Sequence, residues 1–354
     1  MPNLGLQAAT AATAAAAAAK PLNGLGQQTM GAFGGMFYGM IAPFLPMRLT
    51  AIWWYQGEAN EFTHTDQFKG PWWYSCLFPS MITGWRAAFE SPGLPFYYVL
   101  LAAGSQSLLR ESQMAAGRLA HTAFASALDL GASAAEEAAG FQPGHPIRKQ
   151  EVGRRLALNA RAMIYGDMAL ASTREGPVVT GYTLGRLTGG AGGAGSSGAA
   201  TLSVTLKFNP ASAVGLHVAA TAPCCTANTT AAACAACCTN ATSSPVTFTD
   251  PDAGSMLAPA SKLFARVVVV DAAASTLTAS LPIGATFNSS KGRVQIEFLF
   301  EIAPLCGVYN GAGGANDHAG VIATPYRVNT TLNAAAAAAA AAAVPPPPLY
   351  TGGH

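Results

Sequence analysis

The chain has 354 residues, with 19 Lys and Arg against 17 Asp and Glu, and a net charge of +2. That balance offers no basic face for a nucleic acid, which is excluded as the expected partner. Charged residues make up only 10%, yet no uninterrupted apolar run reaches the roughly 18–20 residues of a membrane span, alanine tracts aside.

The length suits about two domains. Residues 1–32 are alanine-rich and of low complexity, and lack the basic start and leucine-rich core of a signal peptide. Then strand and helix signals alternate. The pattern predicts strands over 49–55, 96–101 and 123–130, and helices over 75–89, 107–119 and 149–164. Such alternation implies parallel strands joined by crossover helices. After Arg186 the chain changes character: residues 189–200, GGAGGAGSSGAA, read as a flexible insert. Runs of period two follow at 201–208, 265–271, 275–281, 293–302 and 321–328, the pattern of a β-sandwich. Ten alanines from Ala334 and the prolines 345–348 form a linker-like tail. The expected organisation is therefore a low-complexity segment 1–32, an α/β core 33–175, a β-rich domain 176–330 with inserts, and an Ala/Pro-rich tail 331–354.

Of seven cysteines, Cys224, Cys225, Cys234, Cys237 and Cys238 crowd into one Ala/Thr-rich stretch. Cys234 and Cys237 have the CxxC spacing of zinc and redox sites, but only His217 lies near, so the cluster reads as a surface loop, disulfide-linked in an oxidising compartment. Cys76 reads as a core residue and Cys306 as either a stapling or a free thiol. Sequons occur at Asn228, Asn240, Asn288 and Asn329. Localisation follows only if a longer form carries a signal peptide, which would place it in a secreted or lysosome-like compartment.

The most informative stretch is WWYQGEAN at residues 53–60. A hydrophobic run breaks abruptly into small and polar residues, as where a buried strand leaves the edge of a sheet. In open α/β sheets such loops hold the ligand. Gly57 permits close backbone approach, and Asn60 offers side-chain donors.

Six collinear blocks resemble the sialate O-acetylesterase family over residues 33–167. They are FGGMFYGMIAPFLP at 33–46, WYQGEAN at 54–60, YSCLFPSMI with Trp85 and Arg86, LPFYYV at 94–99, LRESQ at 109–113, and HPIRKQEVGRRL at 145–156. The resemblance implies an SGNH-hydrolase-like, flavodoxin-like parallel sheet followed by a β-rich domain. It also implies serine-type removal of acetyl groups from sialic acid or a related O-acetylated sugar, with no cofactor or metal. His145 matches the family's general base. Asp129, in a DLG sequence, matches a family carboxylate that either orients that base or serves as a turn residue. It stands 16 residues before His145, across a stretch, 134–141, that reads as an insertion.

Gln56, Gly57, Glu58 and Asn60 fall in the oxyanion and substrate-binding block, Glu58 as a loop anchor or a neighbour of His145. Arg110 and Gln113, three apart on one helix face, are candidates for sugar contacts or an exposed helix pair. The nucleophile of the family lies in a GQSN motif upstream of WYQGE. Here Gly26–Met30 reads GQQTM, and the serines 105 and 107 follow the wrong strand. The expectation is an N-terminally truncated member lacking its serine segment. The alternative is an inactive glycan-binding or scaffold protein of the same fold.

Overall fold

The fold is taken from a computed structural model that describes residues 35–45, 47–60, 71–104, 107–142, 144–171, 173–187, 201–220, 244–252, 254–255, 258–259, 262–281, 287, 291–299, 306–311 and 320–331. The expectations for residues 1–32, the glycine insert, the Cys224–Cys238 cluster, Ser105, three of the sequons (Asn228, Asn240, Asn288) and the tail beyond Thr331 lie outside the described residues.

The first part is built on a parallel sheet of three strands in the order β1 (Ile52–Trp54), β2 (Phe96–Leu100), β3 (Thr122–Ser126). Central β2 is buried along its whole length. Phe96, Tyr98 and Leu100 enter one apolar cluster, and Tyr97 and Val99 enter another. A strand covered on both faces needs apolar residues at every position, which is why it reads as an unbroken run.

Helix α1 (Pro71–Ala88) buries Tyr74, Phe78, Ile82 and Arg86, spaced four apart, and so presents one stripe to the sheet. Arg86 ends that stripe by donating to the carbonyls of Leu94 and His121, at 2.9 and 3.1 Å. Helix α2 (Ser107–Met114) packs beside α1, and the chain then tightens into a 3-10 turn over Ala115–Arg118. A short helix α3 (Ala134–Ala138) and then α4 (Lys149–Met163) follow, the latter covering the opposite face through Val152, Leu156 and Ala160.

Antiparallel strands make up the second part. They are β4 (Val179–Leu187), β5 (Thr201–Phe208), β6 (His217–Ala220), β7 (Val246–Thr249), β8 (Gly254–Ser255), β9 (Ala258–Pro259), β10 (Lys262–Phe264), β11 (Arg266–Asp271), β12 (Thr276–Ser280), β13 (Arg293–Phe298), β14 (Cys306–Tyr309) and β15 (Tyr326–Thr331). Two four-stranded sheets, β11-β12-β5-β4 and β10-β7-β13-β15, share one apolar cluster. Val204, Leu206 and Leu277 come from one sheet, and Phe248, Ile296 and Phe298 from the other. Pairs β14-β6 and β8-β9 complete the described strands.

Leu128 from the first part joins that cluster, and Arg327 on β15 forms an ion pair with Glu111 on α2. Asn310 stitches three segments: it donates to Thr173 O (2.9 Å) and Ser212 O (3.0 Å) and accepts from Val321 N (3.0 Å).

Several boundaries differ from expectation. The strand expected to run to residue 130 ends at Ser126, because Leu130 N turns back to Ala127 O at 2.9 Å while its apolar neighbours stay buried. The strand expected over 293–302 ends at Phe298, where Leu299 takes φ 54°. The last strand begins at Tyr326 rather than 321, since Ile322 forms only an isolated bridge to Tyr309. Cys76 is exposed and free, not a core residue, because it sits on the outer face of α1. Cys306 is disulfide-bonded.

Candidate active site

All three parallel strands deliver their carboxyl ends to one edge of the sheet, and the loop after β1 is held there by several side chains. Gly57 is buried with φ +150°, and a Cβ there would stand 3.1 Å from Leu101 Cδ1 and 3.4 Å from Gln113 Nε2. Only glycine fits. Its carbonyl accepts from Asn60 N at 2.8 Å, which closes the 3-10 turn Glu58–Asn60.

Beneath the loop, Gln113 donates to Gln56 O (3.2 Å) and Val99 O (3.0 Å) and accepts from Leu101 N (3.1 Å). The Tyr74 hydroxyl lies 3.1 Å from Gln56 Oε1 and 3.2 Å from Gln56 O, and Trp54 Nε1 donates to Tyr74 at 3.3 Å. Gln56 Nε2 in turn donates to Asn60 Oδ1 at 2.8 Å. With Oδ1 engaged, the Asn60 amide is oriented so that Nδ2 remains its donor.

Burial and the charge of Glu58 push the Tyr74 phenol up to about 12. Tyr55 is raised further by the same two causes. Lys149, the first residue of α4, holds its ammonium 4.1 Å from the centroid of the Tyr55 ring. Burial lowers the Lys149 pKa while Glu58 opposes that shift. This contact brings the start of α4 against the loop after β1.

His145 is exposed, four residues before Lys149. Its backbone N–H donates to Gln142 O at 3.0 Å, and Pro146 beside it is buried. The stretch that reads as an insertion is helix α3, capped by Ser133. Ser133 Oγ accepts from Glu136 N (3.3 Å), and Ser133 N donates to Glu136 Oε2 (2.7 Å). This reciprocal box satisfies the free donors of a helix start. Glu136 also takes both terminal nitrogens of Arg148, at 3.1 and 2.8 Å.

Asp129 pairs with an arginine of α4. It is fully buried and gives both carboxylate oxygens to Arg155, at 2.7 and 2.9 Å. Arg155 also donates to Ser126 O (2.6 Å) and Glu151 Oε1 (2.8 Å). Burial works against the Arg155 charge, but Asp129 and Glu151 outweigh it and hold the guanidinium above its ordinary pKa. A guanidinium fork matches a carboxylate in two places, so this pair anchors α4 to the end of β3. Arg110 and Gln113 are likewise buried at 1% and 0% exposure, not an exposed pair. Arg110 Nη1 donates to Ala102 O at 3.2 Å.

Thus the structure groups Gln56, Gly57, Glu58 and Asn60, with Gln113 as their support, and sets Lys149, four residues after His145, against Tyr55. Sequence reasoning missed Tyr74, Lys149 and the pair Glu136 and Arg148. The spacing of Ser133 and Glu136 was a visible signal of a capped helix.

The fold is similar to one seen in a solved structure. The crystal structure of a novel carbohydrate acetylesterase from Xanthomonas citri superposes with a TM-score of 0.52 at 20% identity, covering 82% of this chain and 52% of that one. At sequence level the chain is similar to sialate O-acetylesterases, as the six blocks implied. It is 32% identical to that of Rattus norvegicus over 162 residues and 34% to that of Homo sapiens over 160 residues. These alignments cover 39% of this chain, and the chain spans only 27% and 28% of the length of those relatives. No family model matches. Among the described residues, no helix is long and apolar enough to cross a membrane.

Proposed function

We propose that the chain carries part of the active site of a carbohydrate O-acetylesterase of the sialate type. A serine would attack the acetyl carbonyl, His145 would take its proton, and the Gly57 N–H with Asn60 Nδ2 would donate to the developing oxyanion. His145 would then return the proton to the departing sugar oxygen, and water would release acetate. Asp129 would act at one remove, through Arg155 and α4, on the segment that carries His145.

The observation that supports this reading most is the loop 55–60. Its glycine and asparagine are fixed by Gln56, Tyr74 and Gln113, against the start of α4. Donors that stabilise a transition state must be held in place beforehand, and this loop meets that requirement. The nucleophile in this reading is a serine from a GQSN-type segment outside the 354 residues.

The test is hydrolysis of 4-nitrophenyl acetate and of an O-acetylated sialic acid, with fluorophosphonate labelling. It compares the 354-residue chain with a version extended upstream from its own genomic sequence. The extended version is expected to be labelled and active, and His145→Ala to abolish its activity. Strong labelling of the shorter chain that His145→Ala removes would place the nucleophile within it. An inactive extended version that still binds the sugar would favour the binding-only reading.

A further inference from the structure

The segment between β3 and α4 is fastened at both ends by the same two side chains. We infer that Glu136 and Arg148 form a clamp that positions His145, so that they act as positioning residues for the general base. This inference rests on the proposed role of His145, but its geometry stands without it.

Arg148 precedes α4 and lies three residues after His145. It reaches back to Gly131 O (3.2 Å) just beyond the β3 turn, and to both oxygens of Glu136 (3.1 and 2.8 Å). Glu136 is itself immobilised, because its Oε2 accepts from Ser133 N at 2.7 Å and its carbonyl accepts from Phe141 N at 3.0 Å. Both partners are sheltered, with side-chain exposures of 25% and 21%. A two-point guanidinium contact fixes direction as well as distance, which a lone surface pair does not.

Around His145 the described backbone is tied further. His145 N donates to Gln142 O at 3.0 Å, Pro146 is buried, and Lys149 N donates to Ile147 O at 2.9 Å. The imidazole itself is exposed. An exposed base on a surface loop would sample many positions. The clamp ties the segment that carries His145 back to the turn after β3, and the imidazole is held through that backbone.

The test uses the full chain labelled at histidine. The ring carbon–proton signals of its six histidines are followed by NMR, and His145→Gln assigns the relevant one. Arg148→Met is expected to broaden or split the His145 signal and raise amide exchange across residues 131–148, while His121 and His217 stay sharp. Arg148→Lys, which keeps the charge but loses the fork, is expected to recover part of the effect. In the extended, active version the same Met variant should lower kcat about tenfold with KM nearly unchanged, the cost of a misplaced group. An unaltered His145 signal in Arg148→Met overturns the clamp. So does a global loss of histidine dispersion in Arg148→Met when Arg148→Lys and Glu136→Gln keep the fold and leave His145 unchanged. If the NMR effects appear but His145→Ala leaves the extended enzyme active, the clamp stands and the catalytic reading fails.

Discussion

The two parts of the molecule bury charge to different depths. In the antiparallel part, the shared cluster is lined by apolar side chains, and the buried charged groups Asp250 and Glu297 keep 3% and 7% exposure, with Glu297 paired to Lys262 at 2.9 Å. In the α/β part, Arg110, Gln113, Asp129, Arg155 and Asn159 are at or below 1% exposure. Several of them are aimed at carbonyls where strands end: Gln113 at Val99, Arg110 at Ala102 and Arg155 at Ser126. An apolar interior stabilises more cheaply than a buried ion pair, which roughly breaks even against its desolvation. Buried polar groups gathered at one sheet edge are therefore better explained by the geometry they impose on loops. The sandwich supports that edge through Arg327 on Glu111 and through Tyr309. The Tyr309 phenol is raised chiefly by burial and then by the Asp129 carboxylate beside it.

The contrast breaks most plainly at Arg155. Replacement by Met removes one partner of a fully buried pair and takes the guanidinium away from the Asp129 carboxylate. Stability in urea should fall by about 3–5 kcal/mol. The double change Asp129→Asn with Arg155→Met should recover a good part of it. If Arg155→Met costs no more than a surface substitution, the edge is not organised around this pair.

A smaller effect is expected at Gln113, whose amide serves three backbone groups at once. Gln113→Leu conserves approximate volume but leaves Leu101 N, Val99 O and Gln56 O without that partner. About 2–3 kcal/mol of stability should be lost. Amide exchange should rise over residues 55–60 and 101–104 while the strands of the sandwich keep their protection. Loss of protection spread evenly over both parts would show that Gln113 supports the whole fold and not one loop.

Much of the α/β part was legible because its physics is local. A strand buried on both faces writes a continuous apolar run, as at Phe96–Leu100, and a helix on a sheet writes a four-residue spacing, as from Tyr74 to Arg86. The loop at Gly57 announced itself by a sudden break in hydrophobicity. What was not legible depends on partners far apart in sequence. Arg155 gains its role only when Asp129, 26 residues away, is brought to it. Arg110 and Gln113 read as sugar contacts or an exposed helix pair for the same reason. In the antiparallel part, β4 escaped notice because VTGYTLGRL interrupts its alternation with glycines. Strands β6, β7, β10 and β14 are only three or four residues long, too short for a period to show.

The smallest expected effect is a pH dependence confined to the α3 clamp. Burial pulls the Glu136 pKa up, but the Ser133 N–H and the Arg148 guanidinium outweigh it and hold it below its ordinary 4.5. A carboxyl depressed by folding contributes stability above its unfolded pKa and loses that contribution as pH falls through the folded value. Because the pair is partly exposed, solvent screening limits the contribution to a few tenths of a kcal/mol, roughly. The unmodified chain should therefore exceed Glu136→Gln in stability at pH 7, and the gap should close between about pH 5 and 3. Exchange at residues 131–148 should rise over the same interval without a matching change in the sandwich. The sandwich has its own acid-sensitive pair, Asp252 with Arg293. That pair lies at the far end of β13 from Phe298, so its loss should register in the exchange of that strand end alone. A gap between the two chains that stays constant down to pH 3 would mean that Glu136 holds Arg148 without its charge, and that shape alone closes the segment.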